Sequence, residues 1–331
     1  MEKKSFLTPR ERTLRAFNFE KGDRVASVFV ATGEYAERLK EKYGPDIIDH
    51  LDGRALSECI PSLAWPSAPG KWVEESGDKI WWYTDVLFND YEEADKLELP
   101  DPRNSPHLFD NLHKSLKEIP NNAKVCNIFG PLTLLHGMRN VANLYADVIE
   151  DPDGLHRLIK RVMDIQTDVV RQAVELPYDI IYFQDDIAAS RALIMSPKTT
   201  CEFVLDYFQE AIAIAKKAGK KTAFHSDGNV TDILDDLYRI GIDAVNPMQP
   251  QFNDFEEFMR RFDQKMLVFG GIDNYDVLPY GTPEDVKNHV EYVFNTLGKN
   301  GGLVLSTHQI KNPVSDENWD AFYSAIYNCW Y

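Results

Sequence analysis

The sequence predicts an α/β protein built as a (β/α)8 (TIM) barrel with an N-terminal helical and hairpin elaboration, and three observations predict it. Strand-like apolar segments alternate with helical ones from Lys124 to Asn328, which argues for a parallel sheet. Several of these strands end in polar or ionisable residues: Gln184-Asp185-Asp186, His225-Ser226-Asp227 and Ser306-Thr307-His308. Barrel enzymes place their chemistry at that end. No strand runs into a Gly-x-Gly-x-x-Gly turn, so an open sheet with a dinucleotide crevice has no support.

The elements follow in order. Thr8-Pro9-Arg10-Glu11 opens the first helix: Thr8 caps it, Pro9 suits its first turn and Glu11 completes a capping box. Val25–Val30 reads as the first buried strand, and Glu34–Tyr43 as a helix. Pro66, Pro69 and Gly70 exclude a long helix around Trp65. Trp72–Glu75 and Lys79–Thr84 then suggest a hairpin turning at Ser76-Gly77-Asp78 and rich in aromatics at Trp81-Trp82-Tyr83. It reads either as a lid packed on the barrel end or as a wall on which a substrate stacks.

Beyond Pro106, strands are expected at Lys124–Phe129, Asp179–Phe183, Lys221–Phe224, Ala244–Asn246, Leu267–Phe269 and Leu303–Leu305. Helices are expected at Leu155–Val174, Thr199–Ala218, Val230–Ile240, Asp254–Phe262, Pro283–Leu297 and Asp316–Asn328, with Gly219 stopping the second. One barrel domain over 1–331 accommodates them, with about 61–106 as the aromatic hairpin insertion.

Bulk properties narrow the function. The 331 residues carry 53 acidic against 36 basic side chains, a formal charge of −17, which disfavours nucleic acid as a partner. A 44% apolar content with 12% aromatics is that of a globular chain, and no apolar run is long enough to span a bilayer. The N-terminus lacks the apolar core of a secretion signal, which points to the cytoplasm. Cys59, Cys126, Cys201 and Cys329 are far apart and read as reduced structural thiols, not as a four-cysteine zinc site.

Four strand ends supply the candidate chemistry. Side chains alternate along an extended segment, so His225 and Asp227 share one side. They and His308 can hold a divalent metal, with three protein ligands and one open position. The competing reading is a hydrogen-bonded His225–Asp227 pair without metal. Asp185 and Asp186 can bind a substrate group or act as acid and base, or can cap a helix and tether a loop. Arg191 can pair with either aspartate or with an anionic substrate, or lie solvated. Gly270-Gly271 lets a backbone approach a ligand beside Asp273, and Gly130-Pro131 either presents N–H groups to an anion or makes a plain turn. A serine elbow, a phosphate loop and His-Glu-x-x-His are all missing.

With those residues assembled, the chain resembles the uroporphyrinogen decarboxylase-like superfamily nearly end to end. The resemblance rests on Thr8-Pro9-Arg10-Glu11-Arg12, Asp23-Arg24-Val25, Gly130-Pro131-Leu132-Thr133, Asp185-Asp186, Ser196-Pro197, Ala218-Gly219-Lys220, His225-Ser226-Asp227-Gly228-Asn229 and Gly270-Gly271-Ile272-Asp273, in that order. It implies a (β/α)8 barrel and one of two activities. True uroporphyrinogen decarboxylases work without a cofactor and carry an arginine-bearing stretch after the first strand. Here that stretch is Ala31-Thr32-Gly33-Glu34-Tyr35, without arginine. The other branch, the corrinoid-dependent methyltransferases, holds zinc with a His-x-Cys pair and a later Cys. Here His225 is kept, Asp227 stands where the first Cys falls, and His308 lies near the second.

The resemblance therefore implies a methyltransferase that moves a methyl group from a small methylated substrate, such as a methoxyaromatic in an O-demethylation, to a corrinoid protein. His225, Asp227 and His308 are the expected zinc ligands. His225, Asp227 and Asp185 are the expected catalytic residues, and Asp186, Arg191, Asp273 and Trp82 the substrate contacts. A small-molecule substrate, a corrinoid-carrying partner and a second copy of the chain are the expected partners. A cofactor-independent decarboxylase and a barrel that only binds a ligand are the alternatives.

Overall fold

The computed structural model describes residues 6–31, 33–44, 56–75, 78–310 and 314–331, with side chains at 29–31, 33–36, 75, 78–80 and 308–310 excepted. The strands are β1 (Ala26–Ala31), β2 (Leu56–Cys59), β3 (Gly70–Glu75), β4 (Asp78–Tyr83), β5 (Ala123–Phe129), β6 (Ile180–Gln184), β7 (Lys221–His225), β8 (Ala244–Asn246), β9 (Leu267–Gly271) and β10 (Leu303–Ile310). Eight of them form one sheet in the order β1-β10-β9-β8-β7-β6-β5-β2. Its paired strands run parallel throughout, with helices between successive members. This is the predicted (β/α)8 barrel, nearly closed.

Strand periodicity explains what fills it. On β6, Ile180 and Tyr182 point into the barrel, where they join Val28, Val125, Ala223, Ala244, Leu267, Phe269 and Val304. Ile181 and Phe183 point outward and pack with the helices, among them Leu158, Val162, Phe208 and Ile212. The first helix, Pro9–Phe17, has the capping box the sequence predicts: Thr8 N donates to Glu11 Oε2 at 2.8 Å and Glu11 N to Thr8 Oγ1 at 3.2 Å. Its Ala16 and Phe17 belong to the interior cluster, so this helix packs beneath the sheet.

The hairpin forms as expected between β3 and β4, with Trp72 opposite Trp81. Their rings meet edge to face at 5.3 Å. Gly70 is required there, because a Cβ would come within 2.6 Å of the Trp81 indole. The expected turn residues Ser76 and Gly77 lie outside the described residues.

Several boundaries differ from the expectation. The helix after Ser196 contains a π turn at Cys201–Leu205, and Thr231–Ile233 is a 3-10 turn leading into the helix Leu234–Ile240. Gly219 ends its helix with φ +73° as predicted. β10 continues to Ile310, beyond the expected end at Leu305, because β1 pairs with it along Ala26–Ala31. β2 and the helices Asp110–Glu118 and Val141–Glu150 were not anticipated. No described helix is long and apolar enough to cross a membrane.

Candidate functional site

β6 and β7 run side by side, pairing Gln184 with His225, so the acidic pair after β6 and the polar cluster after β7 emerge together at the mouth. Asp185 N continues the ladder by donating to His225 O at 3.1 Å. Ser226, buried, locks the two loops: its Oγ accepts Ile187 N at 3.0 Å and donates to Asp227 O at 2.9 Å. Gly228 then turns the chain at φ +88°, and its N–H donates to Gln249 Oε1 at 2.8 Å. Asn253 bridges the same loop through Gly228 O and Val230 N.

The result is one cluster. A nitrogen of His225 and carboxylate oxygens of Asp186 and Asp227 lie within 4.8 Å of one another. Asp227 N donates to Asp186 Oδ1 at 3.2 Å, and His225 Nε2 stands 3.7 Å from that oxygen. Asp186 is exposed and the other two are half-buried, so a bound group would remain accessible. One imidazole and two carboxylates suit a divalent cation with nitrogen–oxygen preference, zinc included. Of the expected ligands, His225 and Asp227 are brought together. The His308 side chain lies outside the described residues. Asp186, expected as a substrate contact, sits in the cluster.

Beneath His225 lies a polar layer that sequence reading missed. Asn246 Nδ2 donates to Phe269 O at 2.7 Å. Its Oδ1 accepts the Tyr182 hydroxyl at 2.6 Å and lies 2.7 Å from His225 Nδ1. Tyr182 Oη is also 3.2 Å from His225 Nδ1. Further round the interior, Asn127 Nδ2 donates to Glu58 Oε2 at 2.7 Å. Burial, and then the charges of Glu58, Asp227 and Asp186, raise the Tyr182 phenol well above its ordinary pKa. The inward alternation of Leu56-x-Glu58 is the signal for Glu58, but four residues are too few to read it from.

Asp185 faces elsewhere. Its carboxylate accepts Leu132 N at 3.0 Å, Thr133 N at 2.7 Å and Thr133 Oγ1 at 2.8 Å, capping the helix Pro131–His136 from a neighbouring strand. The anion at this helix start is therefore the protein's own. Gly130 makes room for it: a Cβ there would lie 2.5 Å from Asp185 Cγ. Burial pushes the Asp185 pKa up to about 7 against the pull of these donors. Asp273 serves its own loop, its Oδ1 accepting Tyr275 N at 2.9 Å, Asp276 N at 2.8 Å and the Gln251 amide. Arg191 is exposed in the loop bridged by Ala188 and Leu193.

Trp82 is 58% exposed on the hairpin. With Trp81, Tyr83, His136 and Val141 it walls a groove of about 720 Å³, within the range of small-molecule sites. His136 stands at the end of the helix that Asp185 caps, and burial lowers its pKa while the Asp186 charge opposes that. The helix Pro131–His136 thus meets Asp185, the neighbour of Asp186, at its start and lines the groove with His136 at its end.

The family model described as "Uroporphyrinogen decarboxylase (URO-D)" matches residues 72–329. Among solved structures, a methyltransferase from Methanosarcina mazei superposes with a TM-score of 0.67 at 17% identity, covering 97% of this chain and 98% of its own. A B12-independent methionine synthase from Shewanella sp. W3-18-1 in complex with selenomethionine reaches a TM-score of 0.43 at 14% identity, covering 75% of this chain and 67% of its own. No curated protein matches the chain.

Proposed function

Starting from a chain that belongs to the uroporphyrinogen decarboxylase family, we propose that it is a methyltransferase that takes a methyl group from a small methylated substrate, a methoxyaromatic among them, and passes it to the reduced corrinoid of a partner protein. The single observation that carries this reading is the cluster of Asp186, His225 and Asp227 at the mouth. Two carboxylates there repel a polycarboxylate tetrapyrrole and suit a divalent cation. The full-length superposition on a methyltransferase adds a fold in keeping with it.

His225 and Asp227 would hold the metal, Asp186 would complete the described ligands, and His308 is the expected further one. A metal there supplies Lewis acidity to a methoxy oxygen. The protein's own residues do the rest. The Trp81–Trp82 wall orients an aromatic ring beside the mouth. The carbon–oxygen bond would break with its electron pair left on oxygen, which would take a proton from solvent or a mouth carboxyl, and the partner's reduced corrinoid would supply the electron pair that accepts the methyl. Asp185 fixes the helix that carries His136 to the groove. A hard nitrogen–oxygen site favours an oxygen substrate over the thiols that cysteine-ligated zinc activates.

Metal content by elemental mass spectrometry, on wild type and His225→Ala, tests the reading. About one equivalent of a divalent metal, lost in the variant, together with demethylation of 2-methoxyphenol by a reduced corrinoid, is the expected result. Folded, metal-free wild type that releases carbon dioxide from a carboxylated substrate would replace the transferase with a lyase. Tight ligand binding without turnover would leave a binding barrel.

A further inference from the structure

His225 has two ring nitrogens, and only the one without a proton can act as ligand or base. The residues around it decide which. Asn246 is at the end of β8, and its amide has a fixed orientation: the group 2.7 Å from Phe269 O must be the donor Nδ2, because a carbonyl cannot accept from another oxygen acceptor. Oδ1 therefore faces the barrel interior, 2.6 Å from Tyr182 Oη and 2.7 Å from His225 Nδ1. The single phenolic proton is used on Asn246 Oδ1, so Tyr182 presents a lone pair to His225 Nδ1 at 3.2 Å. Two acceptors thus converge on Nδ1.

We infer that Asn246 and Tyr182 are positioning residues that hold His225 as the Nδ1–H tautomer and so aim the lone pair of Nε2 at the Asp186–Asp227 cluster. The arrangement is a relay that ends at the His225 imidazole. The backbone carbonyl of Phe269 orients the amide, the amide orients the phenol, and both orient the imidazole. Nε2 is the nitrogen 3.7 Å from Asp186 Oδ1, so it is the one that faces the cluster. Tyr182 and Asn246 are buried, which keeps water from offering Nδ1 a different partner. Neither residue belongs to the cluster. The tautomer itself needs no metal; its use as a ligand rests on the reading above.

The test is long-range proton–nitrogen NMR on the full chain labelled with 15N-histidine, at a pH where the imidazole is neutral, with His225→Gln identifying the signals of that residue among the eight histidines. Wild type is expected to show Nδ1 protonated and Nε2 bare. Asn246→Asp keeps both acceptors on Nδ1 and Tyr182→Phe keeps one, so each should keep that tautomer. In Asn246→Ala the Tyr182 proton loses its acceptor and turns to Nδ1, so the population should shift toward Nε2–H. Co(II) titration of the same proteins should show affinity about 10–100-fold weaker in Asn246→Ala, as for other groups that orient a metal-bound histidine, and within a few-fold of wild type in Tyr182→Phe. A wild-type spectrum with Nε2–H, or an Asn246→Ala spectrum unchanged from wild type, overturns the inference. If Asn246→Ala does not fold, the wild-type and Asn246→Asp spectra decide. Should wild type bind no Co(II) yet show Nδ1–H, the metal reading falls and the tautomer stands.

Discussion

Asp185 Oδ1 accepts both the backbone N–H of Thr133, at 2.7 Å, and its hydroxyl, at 2.8 Å. That contact ties the end of β6 to the start of the helix Pro131–His136, which follows the neighbouring strand β5. A carboxylate this occupied acts as a brace for the site.

The consequence is measurable. Asp185→Ala leaves the buried Leu132 N–H unmatched and gives the exposed Thr133 donors back to water, and should cost about 1–3 kcal/mol in urea unfolding. Asp185→Asn keeps an acceptor and should cost about 1 kcal/mol, with metal content unchanged. If instead Asp185→Asn abolishes turnover at undiminished stability, Asp185 takes part in the chemistry directly.

Gly228 carries a second prediction. At φ +88°, a Cβ would meet Ala189 O at 2.5 Å, whereas at Gly219, φ +73°, nothing lies within 4 Å. Gly219→Ala should cost about 1 kcal/mol, the strain of a left-handed alanine. Gly228→Ala adds a backbone collision and should cost about 3 kcal/mol. Because Asp227 precedes it, metal affinity should fall with Gly228→Ala and not with Gly219→Ala. Equal effects of the two on thermal unfolding and on metal binding would remove the loop's steric role.

Trp82 should separate binding from stability. Its side chain is 58% exposed, so Trp82→Ala is expected to change unfolding free energy by no more than about 0.5 kcal/mol. Loss of a stacking face should weaken an aromatic ligand such as 2-methoxyphenol by about 1 kcal/mol, roughly fivefold. Calorimetric titration of wild type and variant decides it, and unchanged affinity would place the ligand away from the hairpin.

Much of this architecture is legible in the sequence because its signals are local. Alternation of apolar segments marks the strands from Lys124 onward, Gly219 marks a helix stop, and the His225–Asp227 run marks a strand end. What escapes are relationships between strands. Asn246 reads as the last residue of a short strand and Tyr182 as one aromatic among apolar neighbours. Only the parallel register, which sets Gln184 beside His225 and His225 beside Asn246, brings them together. Asp185 and Asp186 are adjacent in sequence, yet one braces a helix and the other enters the cluster. The sequence left both roles open because the direction of each side chain depends on which loop it meets. β2 hides for a different reason: Leu-Ser-Glu-Cys has neither the length nor the β-branched content of a readable strand.

At the opposite end of the chain's chemistry, Arg12 and Asp23 form a buried pair with Nε to Oδ1 at 2.6 Å and side chains only 2% and 1% exposed. Asp23 Oδ2 also accepts Phe6 N at 2.8 Å and Leu7 N at 3.1 Å. Burial, the largest single effect, would raise the Asp23 pKa, but Arg12 and these N–H groups together outweigh it and hold the carboxyl well below the usual range. Its folded value is thus below the unfolded value of about 3.9. The stability it contributes is fully present above that value and is lost as pH falls below about 4, where the unfolded chain binds the proton first. Asp23→Asn removes the carboxylate charge from this buried pair and should cost about 3–5 kcal/mol at pH 7. It should also flatten the acid limb of unfolding free energy against pH. Urea unfolding of both proteins between pH 7 and pH 3 reads the two effects together, and an acid limb of equal slope in the variant would assign the loss to other carboxylates.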